Sequence, residues 1–169
     1  MMVRTLAMMA LVCVLVLPAA ALAQDYGDGF GVGGVFLPSG NNVLMAKMRL
    51  GDAMALEVYT GLSTFSDDGY SSTDLSLGAG VLFHANPDEK LQPYWGGRFE
   101  ILHASVDYDN DNMGNGGDWD DTRFGVTGVV GAEYFINRRL SLEGEIGLGM
   151  HFGSFSLTSG SRLAALLYL

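Results

Sequence analysis

The chain is predicted to be all-β: an eight-stranded antiparallel up-and-down transmembrane β-barrel that follows a cleaved signal peptide. Three observations predict this. Apolar residues recur with a period of two along most of the chain, rather than the 3.6 of a helix. Glycine is abundant (24 residues) and proline scarce (4), a balance that disfavours helices. The alternating segments number eight and run to roughly nine to eleven residues, the length a tilted strand needs to cross a bilayer, and closed barrels of this kind use an even count.

The first residues have the anatomy of a secretory leader. Arg4 gives a positive start, Leu6 to Leu17 an apolar stretch ended by Pro18, and Ala21-Leu22-Ala23 a small-x-small cleavage site before Gln24. The expected division is therefore a signal peptide over 1–23 and a barrel domain over 24–169. Cys13, the sole cysteine, falls in the leader, so the mature protein is expected to lack disulfide and thiol chemistry. Large residues, Leu11 and Val12, precede it where a lipoprotein signal wants small ones.

The strands sort in order. Gly29 to Leu37 sets Phe30, Val32 and Phe36 against Gly31 and Gly33. Asn42 to Leu50 sets Leu44, Ala46, Met48 and Leu50 against Met45, Lys47 and Arg49. Met54 to Ser63 opposes Leu56, Val58 and Leu62 to Glu57, Tyr59, Gly61 and Ser63. Thr73 to Phe83 opposes Leu75, Leu77, Ala79, Val81 and Phe83 to Asp74, Ser76, Gly78 and Gly80. Pro93 to Ala104 puts Trp95, Phe99 and Ile101 opposite Tyr94, Gly96, Arg98 and Glu100. Thr122 to Phe135 puts Phe124, Val126, Val130, Ala132 and Tyr134 opposite Arg123, Thr127 and Glu133, with Val129 and Phe135 as exceptions. Arg139 to Phe152 is the cleanest: Leu140, Leu142, Ile146, Leu148, Met150 and Phe152 share one face, and Glu143, Glu145 and His151 the other. A helix would scatter these around its circumference; a strand separates them. Ser161 to Leu169 sorts least well, with Leu163, Ala165, Leu167 and Leu169 against Arg162, Ala164, Leu166 and Tyr168.

Connections after strands two, four and six are short: Gly51-Asp52-Ala53, His84 to Leu91 and Ile136-Asn137-Arg138. Those after strands three and five span Ser66 to Ser72 and Asp107 to Asp121. Outer-membrane barrels place short turns in the periplasm and longer loops outside, so both termini are expected on the periplasmic side.

Alternation alone also fits a soluble, lipocalin-like periplasmic binding barrel with its apolar face inward. Three features favour an apolar exterior. The polar face is rich in small residues, as a crowded eight-stranded interior requires. Its charges have both signs: Lys47, Arg49, Arg98 and Arg123 beside Glu57, Asp74, Glu100, Glu133, Glu143 and Glu145. Buried charges must pair, and these ten are expected to do so across the lumen and plug it. Finally, Phe30, Phe36, Phe83, Trp95, Phe124, Tyr134 and Phe152 sit toward strand ends, like interfacial aromatic girdles.

The leader, the eight alternating strands and the stretch Glu133-Tyr134-Phe135-Ile136-Asn137-Arg138-Arg139-Leu140-Ser141-Leu142-Glu143-Gly144-Glu145 resemble the small outer-membrane β-barrel family of opacity, adhesin and serum-resistance type. The resemblance covers the whole mature chain and implies a bacterial outer-membrane location. It also implies contact with outer-membrane lipid and with the barrel-insertion machinery, and envelope-structural or adhesive work through extracellular loops. One departure stands out. The family's last strand usually ends in an aromatic read by that machinery, whereas this chain ends in Leu169, with Tyr168 on the opposite face.

Candidate chemistry is sparse. A net charge of −10 argues against nucleic acid. In the acidic stretch 107–121, Asp107, Asp109 and Asp111 are spaced like the first ligands of a calcium loop, and Asp118 stands at the twelfth position. Asn112 replaces the turn glycine, and an aspartate replaces the long bidentate glutamate. Calcium is thus the one cofactor the sequence raises, against the alternative of a solvated acidic loop. Tyr108 and Trp119 give the same loop contact area for an extracellular protein or glycan. A different class of function is an outer-leaflet lipid A deacylase, which resembles this barrel in size and uses a His, Ser and Glu cluster near the outer rim. His103 with Ser105, and His151 with Ser154, are the residues at issue. The non-enzymatic reading is the one expected.

Overall fold

The computed structural model describes residues 29–37, 42–67, 70–108, 119–152 and 155–169. The strands are β1 (Phe30–Phe36), β2 (Asn42–Arg49), β3 (Met54–Asp67), β4 (Tyr70–His84), β5 (Leu91–Tyr108), β6 (Trp119–Phe135), β7 (Leu140–Phe152) and β8 (Ser156–Tyr168). Each pairs antiparallel with the next, and β1 pairs with β8 to close the barrel. The turn after β2 uses Gly51 at φ 78°, a left-handed conformation that suits glycine. The turn after β6 is fixed by Asn137, whose side-chain oxygen accepts hydrogen bonds from the backbone N–H groups of Arg139 and Leu140.

The register gives the barrel its stagger. From Val35, one path of paired residues runs through Ala164, Glu143 and Glu133 to Gln92, near the short-turn end of β5. The other runs through Val43, Gly61 and Ser76 to Leu102, ten positions further up the same strand. Such a shift tilts the strands, as closure demands. It also fixes heights: the top of β1 lies level with the middle of that interval, near Arg98 on the opposite wall.

The alternation holds, and its sense is unambiguous. Large apolar side chains cover the exterior, among them Leu44, Val58, Phe99, Val130, Ile146 and Leu148, while Lys47, Glu57, Arg98, Glu133, Glu143 and Glu145 are buried within. A soluble barrel would have these two sets exchanged. Val129 and Phe135, the two residues that break the pattern in β6, point inward and are buried. Leu82 and Tyr94 join Val129 in one small apolar cluster. Phe135 joins Val35, Val43, Met45, Leu166 and Tyr168 in another.

Three expectations are corrected. The strands run from 7 to 18 residues, because β3 to β6 continue well past the apolar belt at the long-loop end. Ser66 to Ser72 is therefore largely hairpin, with Ser66 paired to Ser71 and Asp67 to Tyr70. Phe36 ends its strand yet sits halfway up the wall, so it belongs to no girdle, and Phe30 is buried. Phe83 and Trp95 do form an aromatic patch on the outer face near the short turns, stacked at 4.7 Å.

Three lumen tyrosines each face a glycine directly across a strand pair: Tyr59 opposite Gly78, Tyr94 opposite Gly131, and Tyr168 opposite Gly31. The ring takes the volume that a side chain on the partner would need. A Cβ on Gly78 would lie 2.1 Å from the Tyr59 ring. Gly78→Val should therefore destabilise the barrel by about 1–3 kcal/mol through overpacking. On the outer face, a Cβ on Gly97 would meet nothing closer than 3.8 Å, so Gly97→Ala should stay within about 0.5 kcal/mol. Urea unfolding of both variants in lipid vesicles checks the contrast.

Candidate functional site

The lumen is built from charge. In its short-turn half, Glu133 and Glu143 stand directly opposite each other on β6 and β7, an arrangement that repels. Lys47 of β2 lies between them and donates to both carboxylates at 2.8 Å, with all three side chains fully buried. Ser141 and Tyr168 donate to Glu133 at 2.6 and 2.7 Å. Tyr94 donates to Glu143 at 2.8 Å and to Glu145 at 2.9 Å. Arg49 hydrogen-bonds Gln92 and lies 3.8 Å from Glu133.

At mid-height, Arg98 bridges Glu57 and Glu145. Arg162 of β8 reaches Glu57 at 2.8 Å, Glu143 at 3.1 Å and Glu145 at 3.0 Å. Four cations, Lys47, Arg49, Arg98 and Arg162, thus interlock with four carboxylates, Glu57, Glu133, Glu143 and Glu145. The set is neutral and multiply hydrogen-bonded, which offsets the cost of taking these ions out of water. Arg162 was missing from the charges expected to pair. It lies in the serine-rich start of β8, where alternation is faint, but its parity with Ala164, Leu166 and Tyr168 marks it as inward.

Above this network the lumen opens into a cavity of about 580 Å³, reaching the long-loop end. Glu100 accepts from Tyr59 at 3.3 Å and lies 3.0 Å from the His151 ring. Glu100 is thus outside the four-cation network, and so are the other two expected partners. Asp74 lines the open end and is exposed, with no ion pair among the described residues. Arg123 pairs with Asp121 at 2.5 Å on the rim instead of across the lumen. Both sit too far up their strands to reach the mid-height ions.

His103 points outward and bonds the Thr122 hydroxyl at 2.9 Å, whereas His151 points inward to Glu100. The two histidines lie on opposite sides of the wall and share no site; Ser105 stands opposite Asp120 in the register, and Ser154 lies outside the described residues. Of the proposed calcium ligands, Asp109, Asp111 and Asp118 lie outside them as well, as does the side chain of Asp107. The leader lies outside them too. Tyr168, penultimate in the chain, is a lumen residue bonded to Glu133, and Leu169 is the exposed one.

The family model described as outer membrane protein β-barrel domain matches residues 9–162. The chain belongs to that family. As an outer-membrane barrel it lies in the bacterial outer membrane, where barrels of this kind turn an apolar belt to lipid and their short turns to the periplasm. The solved barrels it resembles are matched over nearly their whole length. Neisserial surface protein A shares 17% identity at a TM-score of 0.54, covering 83% of this chain and 93% of that one. A major outer membrane protein from Thermus thermophilus shares 16% at 0.55, covering 82% and 97%. The N-terminal β-barrel domain of Pseudomonas aeruginosa OprF shares 14% at 0.51, covering 82% and 95%. Identities this low speak to the fold alone. No match is found among curated proteins.

Proposed function

We propose that this protein is a non-enzymatic surface barrel, whose filled lumen is a support and whose exposed loops do the recognition. The neutral ion network carries the reading. It occupies the periplasmic half of the lumen with buried, mutually bonded side chains, and an eight-stranded interior has little room beyond its own side chains. The barrel is then a rigid mount. Strands β5 and β6 rise above the lipid belt and hold up the loop between Tyr108 and Trp119. That acidic loop, with an aromatic residue at each end, suits contact with an extracellular protein or glycan, with calcium as an optional organiser of Asp107, Asp109, Asp111 and Asp118.

In planar bilayers the purified protein should give no stable, large conductance. On intact cells, protease should cut between 109 and 118 and leave the barrel whole. A large steady conductance would overturn the support role, and resistance of the loop to protease on intact cells would overturn surface display.

A further inference from the structure

We infer that His84 makes the floor of the lumen an acid-sensitive latch: one proton on its ring loosens the hold of Lys47 on Glu133 and lets water and small ions into the short-turn half. His84 is the last residue of β4. It lies one position past Phe83, whose ring stacks on Trp95 on the outer face, and one before the exposed turn residues Ala85 and Asn86. Its side chain is fully buried, yet neither ring nitrogen has a hydrogen bond among the described residues. The backbone beneath it is held, since the His84 N–H donates to the Ala53 carbonyl at 2.7 Å. A buried polar group without a partner is uncommon and calls for a reason. Packing supplies none. The ring lies tilted against Tyr94 at 5.3 Å, a contact that phenylalanine would make as well.

The charges around the ring supply one. Lys47 and Arg49 face it from β2, Tyr94 from β5 and Glu133 from β6. Asp52, Asp88, Glu89 and Lys90, on the adjoining turns, are exposed. Glu133 is therefore the one buried anion within reach, and it is already engaged. One of its oxygens accepts from Ser141 and Tyr168. The other accepts from Lys47 at 2.8 Å, with Arg49 at 3.8 Å and the His84 Nε2 at 3.5 Å. While the ring is neutral, four cations balance four carboxylates in the lumen. A proton on His84 adds a fifth cation with no carboxylate to match it. Either the ring bonds Glu133 and displaces Lys47, or its charge stays buried and unpaired. Both outcomes weaken the closed floor. The sign follows from linkage: an unfolded histidine takes up its proton near pH 6.5, so the closed floor has its full strength above about pH 6.5 and loses it as pH falls below. The latch is a property of the ion network, and so rests on the filled lumen proposed above.

The test compares the full protein in phosphatidylcholine vesicles with His84→Gln and His84→Phe, neither of which titrates. Urea unfolding and planar-bilayer recording are each run at about pH 7.5 and about pH 5, on either side of the histidine range. One proton shifts the folded-to-unfolded ratio by at most about thirtyfold between pH 6.5 and 5, and the unaltered protein should lose about tenfold more than either variant on acidification. Brief small-ion steps should appear at acid pH in the unaltered protein and in neither variant. His151→Gln, altered at the opposite end of the lumen beside Glu100, should keep the full acid response. Heat-modifiable gel migration shows that each variant is folded. Equal acid losses with and without His84, acid steps that survive in the His84 variants, or no acid steps in the unaltered protein would each overturn the latch. A large steady conductance already present at neutral pH would instead overturn the filled lumen, and the closed floor with it.

Discussion

Replacing Lys47 by methionine should cost the folded barrel about 3–5 kcal/mol, the usual penalty for removing one partner of a buried ion cluster. The side chain length is kept, so little packing is lost. What disappears is the cation between Glu133 and Glu143, which face each other across β6 and β7 and are both fully buried. Arg49 and Arg162 each approach one of these carboxylates, at 3.8 and 3.1 Å, and neither bridges them. Adding Glu133→Gln to the variant should recover about 1–3 kcal/mol, since the two sites share a contact and cannot be additive. Urea-induced unfolding in lipid vesicles gives both numbers. A loss below about 1 kcal/mol would mean that water already screens the pair, and that the short-turn half of the lumen is wet.

Leu148→Arg should cost about 2–4 kcal/mol, the range for a cation on the lipid face near the bilayer midplane. Leu148 points outward on β7, 67% exposed, opposite Gly128 in the register and close to the level of Arg98. Leu157→Arg, near the surface end of the belt on β8, should cost only about 0–1 kcal/mol by the same depth dependence. The gradient is the informative part. An outward leucine on a soluble protein tolerates arginine at either position, so equal and small losses would place the belt in water. The same unfolding measurement, with heat-modifiable migration as the folding check, compares the two directly.

Period-two alternation is a local signal, and everything that depends on it was legible in the sequence: the strand count, the outward leucines and the inward glycines and ions. The sequence signal failed wherever the two faces become alike. Above the lipid belt, both faces of β3 and β4 are wetted and carry Ser63, Thr64, Ser71, Ser72 and Thr73. No contrast marks those strand ends, and the segment looks like a loop. The start of β8, Ser156 to Ser161, hid Arg162 for the same reason. Asp74 and Arg123 share the parity of the lumen ions but not their height. Height comes from cross-strand register, which arises between segments far apart in the chain and leaves no periodic trace.

The ion network also constrains how such a barrel can assemble. Its contacts join residues as far apart as Lys47 and Glu143, or Glu57 and Arg162, 96 and 105 positions along the chain. A nascent sheet that entered lipid before its ends met would carry naked charges on one surface, at a cost no single strand pair offsets. The pairs that join the two ends of the sheet, Lys47 with Glu133 and Glu143 and Arg162 with Glu57, form when β8 swings round to β1, a seam of six facing residue pairs from Gly31 to Phe36. Curling and membrane entry are thereby tied together at that seam.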